Sequence, residues 1–121
     1  MDRKVLIVDD DPRNIFALKL TLKARGFDIE TALGAKEAIE KLENDKNIDF
    51  VLMDMMMPEI DGYQAIGMIR KIDRLHHIPI IAVTAQAMEE DRQKCIDAGA
   101  TDYIKKPIDV DQLLNVIEKV S

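Results

Sequence analysis

The chain has 121 residues, 47% apolar and 33% charged, with 17 lysines and arginines against 23 aspartates and glutamates and a net charge of −6. That length fits one domain spanning residues 1–121, and the apolar fraction excludes a disordered chain. An acidic chain with no basic stripe is a poor direct binder of nucleic acid, and no apolar stretch is long enough for membrane insertion.

Met1-Asp2-Arg3-Lys4 leads straight into a strand with no secretory signal, and the one cysteine, Cys95, has no internal disulfide partner, so the expected location is the cytoplasm. Lys4 to Val8 reads as the first strand and runs into Asp9 and Asp10. Asp11 is a helix N-cap and Pro12 sits in the first turn. Ile15, Leu18 and Leu22 line one face of that helix, with Phe16 beside them, and Gly26 stops it. Phe27 to Ala32 is a short strand, and Gly34 opens a helix with Ala35, Ala38, Ile39 and Leu42 at helical spacing. Ile48 to Met53 lacks alternation, as a strand buried on both faces does, and runs into Asp54. Pro58 to Gly62 is a loop, followed by a helix with Ala65, Met68, Ile69 and Ile72 inward. Ile78 to Val83 is a strand running into Thr84; Met88 to Ala98 is a weakly amphipathic helix ended by Gly99. Thr101 to Ile104 is a strand that passes through Lys105 into Lys106 and Pro107, and Val110 to Val120 is a helix with Val110, Leu113, Leu114 and Ile117 on one face.

Strand and helix alternate five times, the signature of an α/β fold with helices on both faces of a parallel sheet. Pattern alone leaves the strand order open. An order of 2-1-3-4-5 would bring Asp9, Asp10 and Asp54 together at the carboxyl edge, where such sheets hold their ligands. Three crowded carboxylates call for a cation, and Mg²⁺ prefers hard oxygen ligands. Asp54 follows a wholly apolar strand, and a carboxylate can act as a nucleophile toward phosphorus. Lys106 could pair with phosphate oxygens as a point charge, and Thr84 could donate its hydroxyl to the same group. His76 and His77 sit in a polar loop before the fourth strand and are expected to be structural or solvated, since adjacent residues in a strand point to opposite faces. Met53, Met55, Met56 and Met57 are expected to fill core and pack the loop, and Cys95 to serve as a small apolar residue.

Four stretches carry a resemblance: Val8-Asp9-Asp10, Asp54-Met55-Met56-Met57-Pro58-Glu59-Ile60-Asp61-Gly62, Thr84-Ala85, and Lys106-Pro107. Over the whole chain the sequence resembles the receiver domains of two-component response regulators. The resemblance implies a flavodoxin-like, doubly wound (βα)5 sandwich of order 2-1-3-4-5. It implies that Asp54 is the phosphoacceptor, that Asp10, Asp54 and the backbone carbonyl of Met56 bind Mg²⁺ (or Mn²⁺) directly, and that Asp9 acts through a bound water. Thr84 and Lys106 would hold the phosphoryl oxygens, the Lys106-Pro107 bond would be cis, and Tyr103 would reorient when Thr84 moves. Met56 and Gln86, each two residues past a site residue, would tune hydrolysis of the aspartyl phosphate. The implied partners are a histidine kinase or histidine phosphotransfer protein, a downstream target or output domain reached through the surface of the fourth helix, fifth strand and fifth helix, and a phosphorylation-dependent homodimer.

The implied module assists its own phosphorylation and dephosphorylation and is not a turnover enzyme. It is either a single-domain regulator or a receiver excised from a hybrid histidine kinase, toward which Asp11-Pro12-Arg13-Asn14-Ile15 leans. Three other readings compete. A haloacid-dehalogenase-like phosphatase shares the Asp-x-Asp spacing of Asp9 and Asp11, but in that class further aspartates follow the threonine and lysine, whereas Asp54 precedes Thr84 and Lys106. A flavodoxin-like cofactor binder would need a hydroxyl- and glycine-rich loop where Asp9-Asp10-Asp11 stands. A receiver that only docks, without phosphorylation, is opposed by the complete acidic, hydroxyl and lysine set.

Overall fold

Strands β1 (Lys4–Val8), β2 (Asp28–Ala32), β3 (Phe50–Asp54), β4 (Ile80–Thr84) and β5 (Asp102–Lys105) pair in parallel in the order β2-β1-β3-β4-β5. Each is followed by a helix: α1 (Pro12–Lys23), α2 (Ala35–Asn44), α3 (Gly62–Arg70), α4 (Glu89–Ala98) and α5 (Val110–Val120). The computed structural model describes residues 3–85 and 88–120. This is the doubly wound (βα)5 sandwich expected above.

Alternation along the strands builds two cores. Leu6, Val8, Val51, Met53, Ile80 and Ala82 point to one face and pack with Ala38 and Leu42 of α2, Ile66 and Ile69 of α3, and Cys95 of α4. Val5, Ile7, Phe50, Leu52, Ile81 and Val83 point to the other and pack with Ile15 and Leu22 of α1 and Leu113 and Ile117 of α5. β3 is buried at every position, which is why its sequence shows no alternation.

The helix ends follow local chemistry. Asp11 caps α1 by accepting the Arg13 N–H at 2.9 Å, and Pro12 occupies the first turn. Gly26 takes a φ of 91° just beyond α1, and Gly99 takes 114° at the end of α4. Asp61 and Gln64 form a reciprocal capping box at the start of α3. At the other end of α3, Arg70 spreads its guanidinium over four carbonyls, those of Gly99 (2.9 Å), Leu75 (3.3 Å), His76 (3.2 Å) and Ile78 (2.6 Å). It thereby ties α3, the 3-10 turn over Asp73–Leu75, the approach to β4 and the end of α4 into one knot. Burial lowers the Arg70 pKa from its ordinary value.

Several expectations need correction. β3 starts at Phe50 and ends on Asp54, and β4 starts after Pro79 and ends on Thr84, so both polar residues belong to the ladder instead of following it. Phe16 is 53% exposed: it lies about 100° round the helix from Ile15, away from the sheet. Met68 is likewise exposed, and Ile66 takes the buried place beside Ala65 and Ile69. His76 and His77 lie in the loop before β4 as expected, but their rings do not part to opposite faces. They follow the 3-10 turn, and their rings meet edge to face with centroids 4.7 Å apart. Cys95 is fully buried, with burial pushing its thiol pKa up, as suits a small apolar residue.

Gly62 opens α3 directly against the end of β3. A Cβ there would lie 2.6 Å from the Cα and Sδ of Met55 and 2.7 Å from the Asp54 carbonyl oxygen. The contact is with backbone, which cannot step aside cheaply. Gly62→Ala is expected to destabilise the fold by about 1–3 kcal/mol, the range for overpacking, measured by chemical denaturation.

Candidate functional site

The carboxyl ends of β1, β3, β4 and β5 assemble the site. Asp9 stands one residue past β1, Asp54 ends β3, Thr84 ends β4 and Lys106 follows β5. Asp9, Asp54 and Thr84 are buried (4%, 3% and 4% exposed) and Asp10 is exposed. Three polar residues this dry at a sheet edge are unusual, since buried charge is costly unless compensated.

Backbone contacts fix each side chain. The Asp9 N–H donates to Ala32 O across the β1–β2 pair at 3.1 Å, and Asp9 Oδ1 accepts the Asp11 N–H at 2.9 Å. Asp54 Oδ1 accepts the Met56 N–H at 3.1 Å and the Lys106 ammonium at 3.2 Å. The Lys106 N–H in turn donates to Thr84 O at 2.7 Å, so β4 holds the chain that presents the lysine. The Lys106-Pro107 peptide is cis, as expected.

Carboxylate oxygens of Asp9, Asp10 and Asp54 all lie within 4.8 Å of one another. Against them stands the Lys106 ammonium, the one cation that the described hydrogen bonds bring to Asp54. The imbalance shows in Asp9. Burial raises its pKa above the usual carboxylate value; the Asp11 N–H opposes the shift, and the Asp54 charge adds to it. Hard oxygen donors carrying surplus negative charge fit a divalent cation such as Mg²⁺, which takes one or two carboxylates together with other oxygens. Among the described residues, this is the group of acidic, histidine or cysteine side chains placed to hold a metal.

The same alternation that builds the cores divides the site. Asp9 continues the face of Val5 and Ile7, and Asp54 that of Phe50 and Leu52, both toward α1 and α5. A groove of about 500 Å³ between those helices opens on Asp9, Asp54 and Lys106. Thr84 continues the face of Ile80 and Ala82, toward α4. Tyr103 pairs with Ala82 in register, is half-buried against that same core, and has the Arg92 guanidinium of α4 6.0 Å from its ring centroid. Met53, Met55 and Met57 are buried as expected, but Met56 is 67% exposed at the rim of the site. Gln86 lies outside the described residues.

Sequence reasoning found every side chain of the cluster. It missed the backbone N–H groups of Asp11 and Met56 that aim the carboxylates, and Arg92 against Tyr103. Peptide N–H groups have no residue signature, and an arginine eleven residues upstream of a tyrosine becomes its neighbour only through strand–helix packing.

Residues 5–118 match the family described as Response regulator receiver domain. The chain is 41% identical over 121 residues to hybrid signal transduction histidine kinase I of Dictyostelium discoideum, covering 95% of this chain but 7% of that kinase. The chemotaxis response regulator CheY4 of Vibrio cholerae superposes over 100% of both chains with a TM-score of 0.92 at 28% identity. The receiver domain of a sensor histidine kinase from Pseudomonas aeruginosa PAO1, solved with a magnesium ion coordinated in its active site cleft, gives a TM-score of 0.88 at 31% identity over 98% of this chain and 97% of its own. With the family matched from first strand to last helix and the acidic triad assembled at the expected edge, the chain belongs to the response regulator receiver domains, phosphoacceptor signalling modules distinct from turnover enzymes.

Proposed function

We propose that Asp54 is the phosphoacceptor of this receiver and takes its phosphoryl group from a phosphohistidine on a histidine kinase or histidine phosphotransfer protein. The observation that carries this reading is the Asp54 carboxylate, buried yet held at 3.2 Å from the Lys106 ammonium and crowded by Asp9 and Asp10. Asp54 forms the new P–O bond as the P–N bond of the donor breaks. Lys106 neutralises charge on the moving phosphoryl oxygens, and the Thr84 hydroxyl donates to one of them; such transfers depend mainly on positioning and electrostatics. Asp10, Asp54 and the Met56 carbonyl would hold Mg²⁺ or Mn²⁺, with Asp9 joined through water, and a bound cation supplies the positive charge that the site lacks. The groove between α1 and α5 gives a donor side chain its approach to Asp54.

The switch follows from the divided site. Thr84 and Tyr103 share the strand face toward α4, so a phosphoryl group that draws Thr84 changes the space beside Tyr103 and its contact with Arg92. α4 buries Cys95 alone among its residues and has no side-chain cap at Met88, so it is the helix least tied to the core. The α4-β5-α5 surface is the proposed output face for a target, an output domain or a phosphorylation-dependent second copy. Residues 1–121 act as one receiver domain in the cytoplasm, either alone or within a hybrid kinase. None of the described helices is long and apolar enough to cross a membrane.

Asp54→Asn, or removal of divalent cation by chelation, is expected to abolish phosphorylation by acetyl phosphate measured by intact mass; a D54N chain labelled as fully as the native one would sink the assignment. Met56 has an apolar side chain that cannot orient an attacking water, so Met56→Asn is expected to speed loss of the phosphoryl group by about threefold to tenfold, the worth of one hydrogen bond. The raised pKa of Asp9 means the folded chain holds a proton that the unfolded chain releases. Metal-free stability therefore falls as pH rises from the ordinary carboxylate range through Asp9's raised value, and is level above it. Added Mg²⁺ should remove that fall, and Asp9→Asn should raise the metal-free melting midpoint by about 3–6 °C, the effect of about 1 kcal/mol in a domain this size. Melting curves across pH with and without Mg²⁺ check both.

A further inference from the structure

Four methionines stand in the run Met53, Met55, Met56 and Met57, and the fold treats one of them differently. Met53, Met55 and Met57 are buried in the core beneath the sheet edge, at 0%, 1% and 7% exposure. Met56 is 67% exposed, and its own N–H is bonded to Asp54 Oδ1 at 3.1 Å. Its thioether therefore stands in solvent, one side chain's length from the carboxylate that carries the phosphoryl group. As a thioether it is a weak hydrogen-bond acceptor and leaves water beside Asp54 without direction.

Oxidation reverses that property. A peroxide transfers one oxygen atom to the Met56 sulfur; the sulfur is oxidised, the peroxide O–O bond breaks, and water or an alcohol leaves. The product sulfoxide is polar and strongly accepting, and it is the reversible rung of methionine oxidation. We infer that Met56 is a peroxide-sensitive control site, whose sulfoxide oxygen orients water toward the aspartyl phosphate of Asp54 and so shortens the life of the phosphorylated state. The three buried methionines of this run are shielded, so within it Met56 alone is open to peroxide, and it is the one that touches the site. The inference rests on the reading of Asp54 as phosphoacceptor and of Met56 as the residue that governs hydrolysis.

The test compares loss of the phosphoryl group from the Mg²⁺-loaded protein before and after mild hydrogen peroxide treatment, with oxidised sites located by peptide mass. Met88, 70% exposed, will also be oxidised and serves as the internal control. Expected is a rate about threefold to tenfold faster in step with Met56 sulfoxide, again the worth of one hydrogen bond. Methionine sulfoxide reductase should restore the slow rate. Met88→Leu should respond to peroxide as the native chain does, and Met56→Leu should decay at one rate whether treated or not. An unchanged or slower rate with Met56 fully oxidised overturns the inference, as does acceleration that persists in Met56→Leu. Failure of the two readings can be told apart. If Met56→Asn speeds hydrolysis and the sulfoxide does not, the redox inference alone falls; if no phosphoryl group reaches Asp54, both fall.

Discussion

A strand sends alternate side chains to opposite faces, and in this protein that single constraint organises the cores, the site and the proposed switch. Because β3 is buried throughout, its residues have no free choice of side: Phe50 and Leu52 commit to the α1-α5 core, Val51 and Met53 to the core under α2, α3 and α4. Asp54 inherits the first allegiance. Thr84, ending a strand whose register is offset by one residue, inherits the second. The proposed acceptor and the proposed switch residues are therefore on different faces of one sheet, and they meet at the strand ends. A slip of one residue in β3 or β4 would exchange the faces and dissolve the arrangement, while leaving composition untouched.

The acidic edge is costly to the folded state and is kept nonetheless. Two buried carboxylates face one ammonium, and the protein compensates with backbone N–H groups from Asp11 and Met56 instead of further positive side chains. That choice leaves room. A second lysine or arginine would neutralise the cluster but would also occupy the place of an incoming cation and phosphoryl group. Sites held ready for a ligand commonly give up stability in this way.

Much of this was legible in the residues. The order of strands and helices, the caps at Asp11 and Gly99, and the identity of Asp9, Asp10, Asp54, Thr84 and Lys106 followed from apolar runs that end in chemistry. What escaped is what depends on angle and on backbone. Phe16 and Met68 satisfied helical spacing loosely, yet a rotation of one residue about the axis put them outside and brought Ile66 in. His76 and His77 read as a polar loop whose side chains would part to opposite faces, whereas the 3-10 turn before them brings their rings together. The need for glycine at residue 62 is a property of how closely α3 approaches β3, and nothing in the local sequence records that distance.

Arg70 lies at the edge of the sheet opposite the acidic site. Its bonds are all to oxygens fixed in the backbone or, at Thr101, to a hydroxyl 3.4 Å away; the described structure gives it no carboxylate partner. An arginine held this way depends on no carboxylate for its place, and no lysine could reach all those acceptors at once. Since it bonds the Gly99 carbonyl, the end of α4 is held by a side chain, whereas its first turn has no side-chain cap at Met88. Mechanically that is a cantilever. If the proposed switch operates, an event beside Thr84 and Tyr103 would tilt α4 most at its first turn of Glu89, Glu90 and Asp91, and a partner would read it as the direction in which three negative charges point.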